Sequence, residues 1–270
     1  MAEKLKNSSR KPDLATLGGI LLAVGGIVGG LLLEGGQLKD ITQYTAAIIV
    51  LGGTFGAVMI NTPLAVLKGA MKQLASVFFE KSASFEATVE ELIECATRAR
   101  KGGLVALEQD ANSATDPFLK KALMLAVDGT DILEIRKMLE LEITVSEHHT
   151  VSEAKVFESA GGYSPTIGII GAVMGLIQVM KNLADIDAVG HGIAVSFVAT
   201  VYGVAIANVF FLPVANKIKA RAHQEVQYKE LILEGIIGIV EGMNPKLIRS
   251  KLDAYIPHAG NKKKDTHPKA

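Results

Sequence analysis

The chain reads as an all-α integral membrane protein with four transmembrane helices, a helical domain between the second and third, and long helical extensions. Three observations predict this. Hydrophobic residues make up 49% of the 270 residues and charged residues 21%. That charge is ordinary for a water-soluble domain, so the apolar excess has to be concentrated in particular segments. Four segments, 14–33, 41–60, 157–180 and 190–216, are long enough for the roughly 20 residues that a helix needs to cross a hydrocarbon core about 30 Å thick. Between and beyond them the apolar residues recur at helical spacing, with no good strand pattern.

The first span, 14–33, holds no charged residue. Lys4, Lys6, Arg10 and Lys11 precede it, as they would a signal peptide. A signal's apolar region runs about 7–15 residues; this one is longer and a second span follows at once, so it is expected to be retained. Segment 41–60 is the second span. In 157–180 Glu158, near the start, is the only charged residue, and the polar Ser164, Thr166 and Gln178 interrupt the apolar run. In 190–216 the only ionisable side chain is His191, at one end. The connections 34–40 and 181–189 carry one lysine each, Lys39 and Lys181, and the other basic residues lie elsewhere. The positive-inside rule places both termini and the middle segment in the cytoplasm. Asp185 and Asp187 in the second connection read as a solvated acidic turn.

Five segments follow: a cytoplasmic N-terminal tail (1–13), spans one and two (14–60), a cytoplasmic helical domain (61–156), spans three and four (157–216), and cytoplasmic C-terminal helices with a tail (217–270). Leu64, Leu67, Met71, Leu74 and Phe78 predict that the second span's helix continues past the membrane. Ser84 is the N-cap of a helix carrying Val89, Leu92, Ile93 and Ala96 on one face, and Gly102-Gly103 break it. Asp116-Pro117 opens the next helix and Gly129 closes it. From Thr130 a helix runs into span three. The segment 217–241 is helical until Gly242 and Asn244-Pro245, and a short helix and a lysine-rich tail, 261–264, end the chain.

Composition excludes several classes. Lys+Arg and Asp+Glu are both 28, so nothing draws the chain to nucleic acid. The single cysteine, Cys95, cannot form an internal disulfide and reads as a small buried residue. There is no tryptophan, which leaves any aromatic belt to Tyr and Phe. The six histidines make no metal-ligand set, His148 and His149 point different ways on a helix, and no phosphate loop or nucleophile elbow appears. No enzymatic activity and no cofactor are expected.

The membrane part is most informative in what it lacks. Ionisable groups inside a bilayer mark ion paths, yet the span cores hold no Asp, Glu, Lys or Arg. Either the chain does not conduct, or a partner helix supplies the acid. Small residues favour the second: Gly25, Gly26, Gly29 and Gly30 in span one, Gly52 and Gly56 in span two, Gly168, Gly171 and Gly175 in span three, Ala199, Gly203 and Ala207 in span four. Such faces let helices pack closely. Pro165 and Pro213 fall toward the cytoplasmic ends of spans three and four. Each removes a helical hydrogen bond; the pair reads either as static kinks or as a hinge coupling the spans to the cytoplasmic helices.

Six motifs stand in order along the chain. They are Arg100-Lys101-Gly102-Gly103-Leu104-Val105-Ala106-Leu107-Glu108; Ala126-Val127-Asp128-Gly129; Ser164-Pro165-Thr166-Ile167-Gly168 leading to Met174-Gly175-Leu176; Ala199-Thr200-Val201-Tyr202-Gly203; Pro213-Val214-Ala215-Asn216-Lys217; and Glu241-Gly242-Met243-Asn244-Pro245. With the two-span, domain, two-span layout they resemble the MotA/PomA family of flagellar stator subunits over nearly the whole chain.

The resemblance implies a multi-pass protein of the bacterial inner membrane that assembles as a pentamer. The ring would surround a MotB-type single-span partner whose aspartate completes the ion path, and would push on a FliG-type rotor protein. It implies rotor-facing roles for Arg100 and Glu108, with Lys101 beside them; Gln109 stands where the family has an acid, and Asp110 is the candidate substitute. It places Thr200 opposite the partner's aspartate and makes Ala172 and Ala199 the positions that bear on ion choice. Sodium-type relatives tend to have threonine at both. The two alanines remove two oxygen ligands, so H⁺ is favoured over Na⁺, although Tyr202 and Asn208 resemble the sodium-type pattern. The competing readings are an ExbB/TolQ-type energiser, which has three spans with the large segment after the first, a metabolite channel or transporter, and a non-conducting membrane scaffold.

Overall fold

The computed structural model describes residues 11–80 and 84–256; the N-terminal basic residues Lys4, Lys6 and Arg10 and the lysine-rich tail lie outside them. Ten α-helices carry the described residues: α1 (Leu14–Leu33), α2 (Tyr44–Asn61), α3 (Leu64–Val77), α4 (Phe85–Gly102), α5 (Glu108–Ser113), α6 (Pro117–Val127), α7 (Ile132–Lys181), α8 (Ile186–Ile206), α9 (Leu212–Val240) and α10 (Pro245–Leu252). The one extended pairing among them is a two-residue antiparallel contact of β1 (Lys11–Pro12) with β2 (Phe79–Glu80). Four helical stretches are long and apolar enough to cross a membrane: Leu14–Leu33, Leu38–Asn61, Ile132–Lys181 and Ile186–Val240.

Capping chemistry sets the boundaries. Asp13 accepts from Thr16 N at 3.0 Å, and Ser84 from Ala87 N at 3.2 Å. Asp116 accepts from Phe118 N and Leu119 N with Pro117 in the first turn, and Asn244 with Pro245 repeats the pattern at α10. Asp185, expected only as part of a solvated turn, caps α8 by accepting from Asp187 N and Ala188 N. Gly103, Gly129 and Gly242 take φ of 76°, 70° and 69°, the left-handed values that end a helix. One expectation is corrected. The second span does not continue into α3: α2 stops at Asn61, and Pro63, which has no N–H, starts a new helix. Thr62, the residue before it, is held extended, as the proline ring requires.

The described residues form two compact units that cut the chain differently from the sequence segments. The first comprises Met1–Ser82 and Glu147–Ala222, so α3 belongs with the spans. The second comprises Ala83–Ser146 and His223–Ala270, joining the later turns of α9 and α10 to α4, α5 and α6. Its core is one cluster in which Leu92, Leu107, Leu119, Leu123, Ile135, Ile232 and Ile236 are fully buried. Around it Arg249 grips Glu90 with two bonds, and Arg136 and Lys251 share Glu234.

In the first unit, α7 and α8 pack backbone to backbone, while α1 buries none of its residues. A cluster at the foot of the spans, the end opposite the short connections, ties α1 down. Asp13 is buried and receives Lys217 Nζ at 2.7 Å and Arg221 Nη2 at 2.8 Å. Its own N–H donates to Phe78 O at 3.0 Å, and Arg221 Nη1 donates to Ser76 O and Phe79 O.

Lys217 and then the Thr16 amide hold the Asp13 carboxyl far below the usual carboxylate range. Because the folded-state value is depressed, this stabilisation is complete above the unfolded value near ~4 and is lost as pH falls below it. Asp13→Asn is expected to reduce stability at neutral pH by about 1–3 kcal/mol, since it leaves two cations with a neutral partner. It should also flatten the acid limb of thermal unfolding measured in detergent between pH 7 and pH 3. Parallel acid limbs would show that Asp13 does not hold the foot.

Candidate functional site

Two groups of residues were singled out from the sequence, one in each unit. In the membrane unit the geometry starts from small residues at heptad spacing. Ser164, Gly168, Gly171 and Gly175 line one edge of α7; Gly192, Ser196, Ala199 and Gly203 line the facing edge of α8. A Cβ at Gly203 would lie 2.6 Å from Ser164 O, one at Gly168 2.9 Å from Ala199 O, and one at Gly175 2.7 Å from Gly192 O. The backbones therefore touch, which only small residues permit. Hydroxyls cross the seam: Ser164 Oγ donates to Gly203 O at 2.9 Å, and Ser196 Oγ to Ala172 O at 2.8 Å and its own-helix Gly192 O at 2.9 Å. The glycines of α1, and Gly52 and Gly56 of α2, meet nothing within 4 Å.

Of the ion-path candidates, Ala199 is fully buried in this seam, where a Cβ at Gly171 would stand 2.8 Å from its methyl, and it packs with Ala46, Val50 and Val198. Ala172 and Thr200 are half-buried. Thr200 Oγ1 donates to Ser196 O at 3.2 Å, the own-helix bond expected of a threonine in an apolar helix. Tyr202 donates to Ile41 O and accepts from Gln43 N at 3.2 Å, which fixes the entry to α2. Toward the connections, Ile49, Met174, Gly175, Gln178, His191, Gly192 and Val195 line a groove of about 190 Å³.

The prolines behave differently. Pro165 sits inside the uninterrupted α7, against Gly203 of α8, where a Cβ would be 3.2 Å from its Cα. Pro213 follows a π-helical turn, Ala207–Phe211. The wider turn relieves the clash that a proline ring makes with the carbonyl four residues earlier.

In the second unit Arg100 and Lys101 occupy the last turn of α4, and Glu108 opens α5 after a 3₁₀ turn, Leu104–Leu107, pinned by buried Leu107. All three charges are exposed and make no ion pair among the described residues. Asp110 differs: Arg98 Nη2 binds it at 2.8 Å and it faces inward. Glu91 lies close to this pair; burial, then Asp110 and Asp116, push its carboxyl above the usual range. Cys95 is buried and its thiol is pushed up to about 11 by burial.

Two family models match the chain: Motility protein A N-terminal over residues 17–103, and the MotA/TolQ/ExbB proton channel family over residues 110–231. Motility protein A of Bacillus subtilis is 37% identical over 249 residues, covering 91% of each chain. Chemotaxis protein PomA of Vibrio alginolyticus is 32% identical over 244 residues, 90% of this chain and 95% of its own. The chain belongs to the motility protein A family. The MotAB structure of C. jejuni superimposes with a TM-score of 0.87 at 36% identity, over 92% of this chain and 97% of that one. The flagellar MotAB stator complex of Bacillus subtilis gives 0.84 at 36% identity, over 90% and 96%.

The seam contains two residues that the sequence did not flag as functional, Ser196 and Gly192. Their signal was present as register: 192, 196, 199 and 203 repeat at heptad spacing. Arg98 was missed for another reason, because its partner Asp110 lies across the Gly103 turn. Gly203→Ala is expected to separate α7 from α8, costing about 1–3 kcal/mol through overpacking. It should lower both thermal stability and motility, while Gly52→Ala, which faces open space in the single chain, should leave the chain's own stability unchanged. An unchanged melting point for Gly203→Ala would disprove the close approach.

Proposed function

We propose that the chain is a stator subunit of the bacterial flagellar motor, coupling cation flow across the inner membrane to torque on a FliG-type rotor protein. The observation that carries this is electrical. Four membrane-spanning helices with a closed glycine seam offer an ion no carboxylate on which to stop, so a second polypeptide has to lend one. A MotB-type single-span protein with an intramembrane Asp fits that need, and the structural relatives are MotAB complexes. The proposed assembly is a pentamer of this chain around that partner, with both termini cytoplasmic. The glycine face of α1, which meets nothing in the single chain, supports an assembly of several copies.

Torque would leave through Arg100, Lys101 and Glu108. They stand exposed and unpaired on one short connector, and exposed charges orient a transient contact without a large buried area. Asp110, neutralised by Arg98, is a weaker candidate for that contact. Protons are the proposed ion: Ala172 and Ala199 carry no side-chain oxygen, and a hard cation such as Na⁺ needs several. Pro165 and Pro213 are the proposed coupling points, and the π turn before Pro213 is the better supported of the two. An ExbB/TolQ-type role is disfavoured by the two spans that precede the intervening helices and by the N-terminal motility protein A match.

Co-expression with a MotB-type partner should yield a complex that purifies intact in mild detergent. Arg100→Glu with Glu108→Lys should abolish most swimming while that complex still purifies; loss of the complex would make the two charges structural. Swimming speed at fixed pH should not follow external sodium, and a clear sodium dependence would reject the proton assignment.

A further inference from the structure

The helix α3 is held at both ends at the level of the span feet. Its first residue comes three positions after the end of α2, with Pro63 making the turn. Its far end is fastened to the beginning of α1: Asp13 N donates to Phe78 O, and Arg221 reaches Ser76 O and Phe79 O. A helix of 14 residues is about 21 Å long. With each end at the foot of a span, it runs along the membrane surface and does not project away from it.

Its two faces differ. Ala70 and Val77 are buried, and Val66, Leu67 and Leu74 pack with them against Ala154, Phe157, Val214 and Ile218. Gly69 leaves room for the Glu153 carboxylate, which occupies the place a side chain would take. The opposite arc is wholly exposed: Leu64, Ala65, Lys68, Met71, Lys72 and Ala75. Leu64 is 67% and Met71 64% exposed. At about 100° per residue, Leu64, Met71 and Ala75 cluster on one edge of that arc and the two lysines lie beside them. The helix contains no acid, and neither lysine has an ion-pair partner among the described residues. The cations of α9 at the same foot, by contrast, are spent on Asp13 and Glu158. Water is a poor solvent for Leu64 and Met71, and hydrocarbon a poor one for two ammonium groups. The boundary between them suits both.

We propose that the outward face of α3 binds anionic phospholipid of the cytoplasmic leaflet, Leu64 and Met71 entering the acyl region and Lys68 and Lys72 meeting the phosphates. The leaflet is the cytoplasmic one in the orientation proposed above, on which this assignment rests; the lipid chemistry is the same for either leaflet. The full chain, alone and in complex with a MotB-type partner, would be placed in nanodiscs of phosphatidylcholine, with or without phosphatidylglycerol. A nitroxide on Ala75→Cys reports depth, because Cys95 is buried and its thiol stays protonated. Phosphatidylglycerol is expected to move the label from contact with a water-soluble nickel chelate to contact with oxygen in the lipid. Each lysine near an anionic surface contributes about fivefold in partition, so Lys68→Gln with Lys72→Gln should abolish the dependence on phosphatidylglycerol. A label equally deep in neutral lipid, or in water in both, overturns the proposal. The reading is independent of motility, so a failure of the stator assignment would show in swimming and leave the lipid response intact. Reversed orientation would appear in the accessibility of the same cysteine in spheroplasts.

Discussion

The membrane unit depends on the contact between the backbones of α7 and α8. A bilayer gives helices no hydrophobic reason to associate, since lipid tails are as apolar as leucine. What remains is close packing and the few hydrogen bonds that close packing permits. Gly168, Gly175, Gly192 and Gly203 bring the two backbones into contact, and Ser164 and Ser196 then reach carbonyls across the seam. The hydroxyls are satisfied within the seam, so they rigidify it and leave no polar gap. Thr200 and Ala172 owe their placement to this seam: each is next to a seam residue and turned partly out of it.

Charge follows the same division. Within the spans it is absent; at the feet Asp13 and Glu158 are paired while Lys68 and Lys72 of α3 are not; and beside the α4–α5 connector it is free. Asp13 is held by two cations, and Glu158 by Lys219 at 2.6 Å. In the second unit most charges are also paired, including Glu90, Glu234 and Asp110. Arg100, Lys101 and Glu108, like Lys120 and Lys246, are exposed and in no ion pair among the described residues. Exposed unpaired charges contribute little to folding.

The four spans were legible because crossing a bilayer demands contiguous apolar residues, a requirement local to each segment. The helix caps at Ser84 and Asp116 were legible for the same reason: each acts on amides two or three residues away. The break at Pro63 was on view in the sequence, but apolar spacing on both sides of it outweighed the one residue that cannot continue a helix. What stayed hidden were pairings over distance. Nothing about Asp13 announces Lys217 and Arg221, some two hundred residues later. Arg98 and Asp110 meet only because Gly103 turns the chain back. The inward setting of Ala199 likewise depends on Gly171 of another helix, so an alanine flagged for standing where sodium-type relatives tend to have threonine is a packing residue as well.

The foot cluster gives the prolines a mechanical meaning. The π turn before Pro213 is the one departure from regular α geometry between α8 and α9 among the described residues, and π turns are where helices bend with least disturbance. Lys217 and Arg221 lie one and two turns beyond Pro213, and both are fastened to Asp13. Any tilt of α9 about that turn therefore pulls on the beginning of α1 and, through Ser76 and Phe79, on the end of α3. Pro165 has no such freedom, because Gly203 lies against it and Ser164 is bonded across the seam. The two prolines are thus unequal: Pro165 is packed against the seam, and Pro213 follows a π turn outside it.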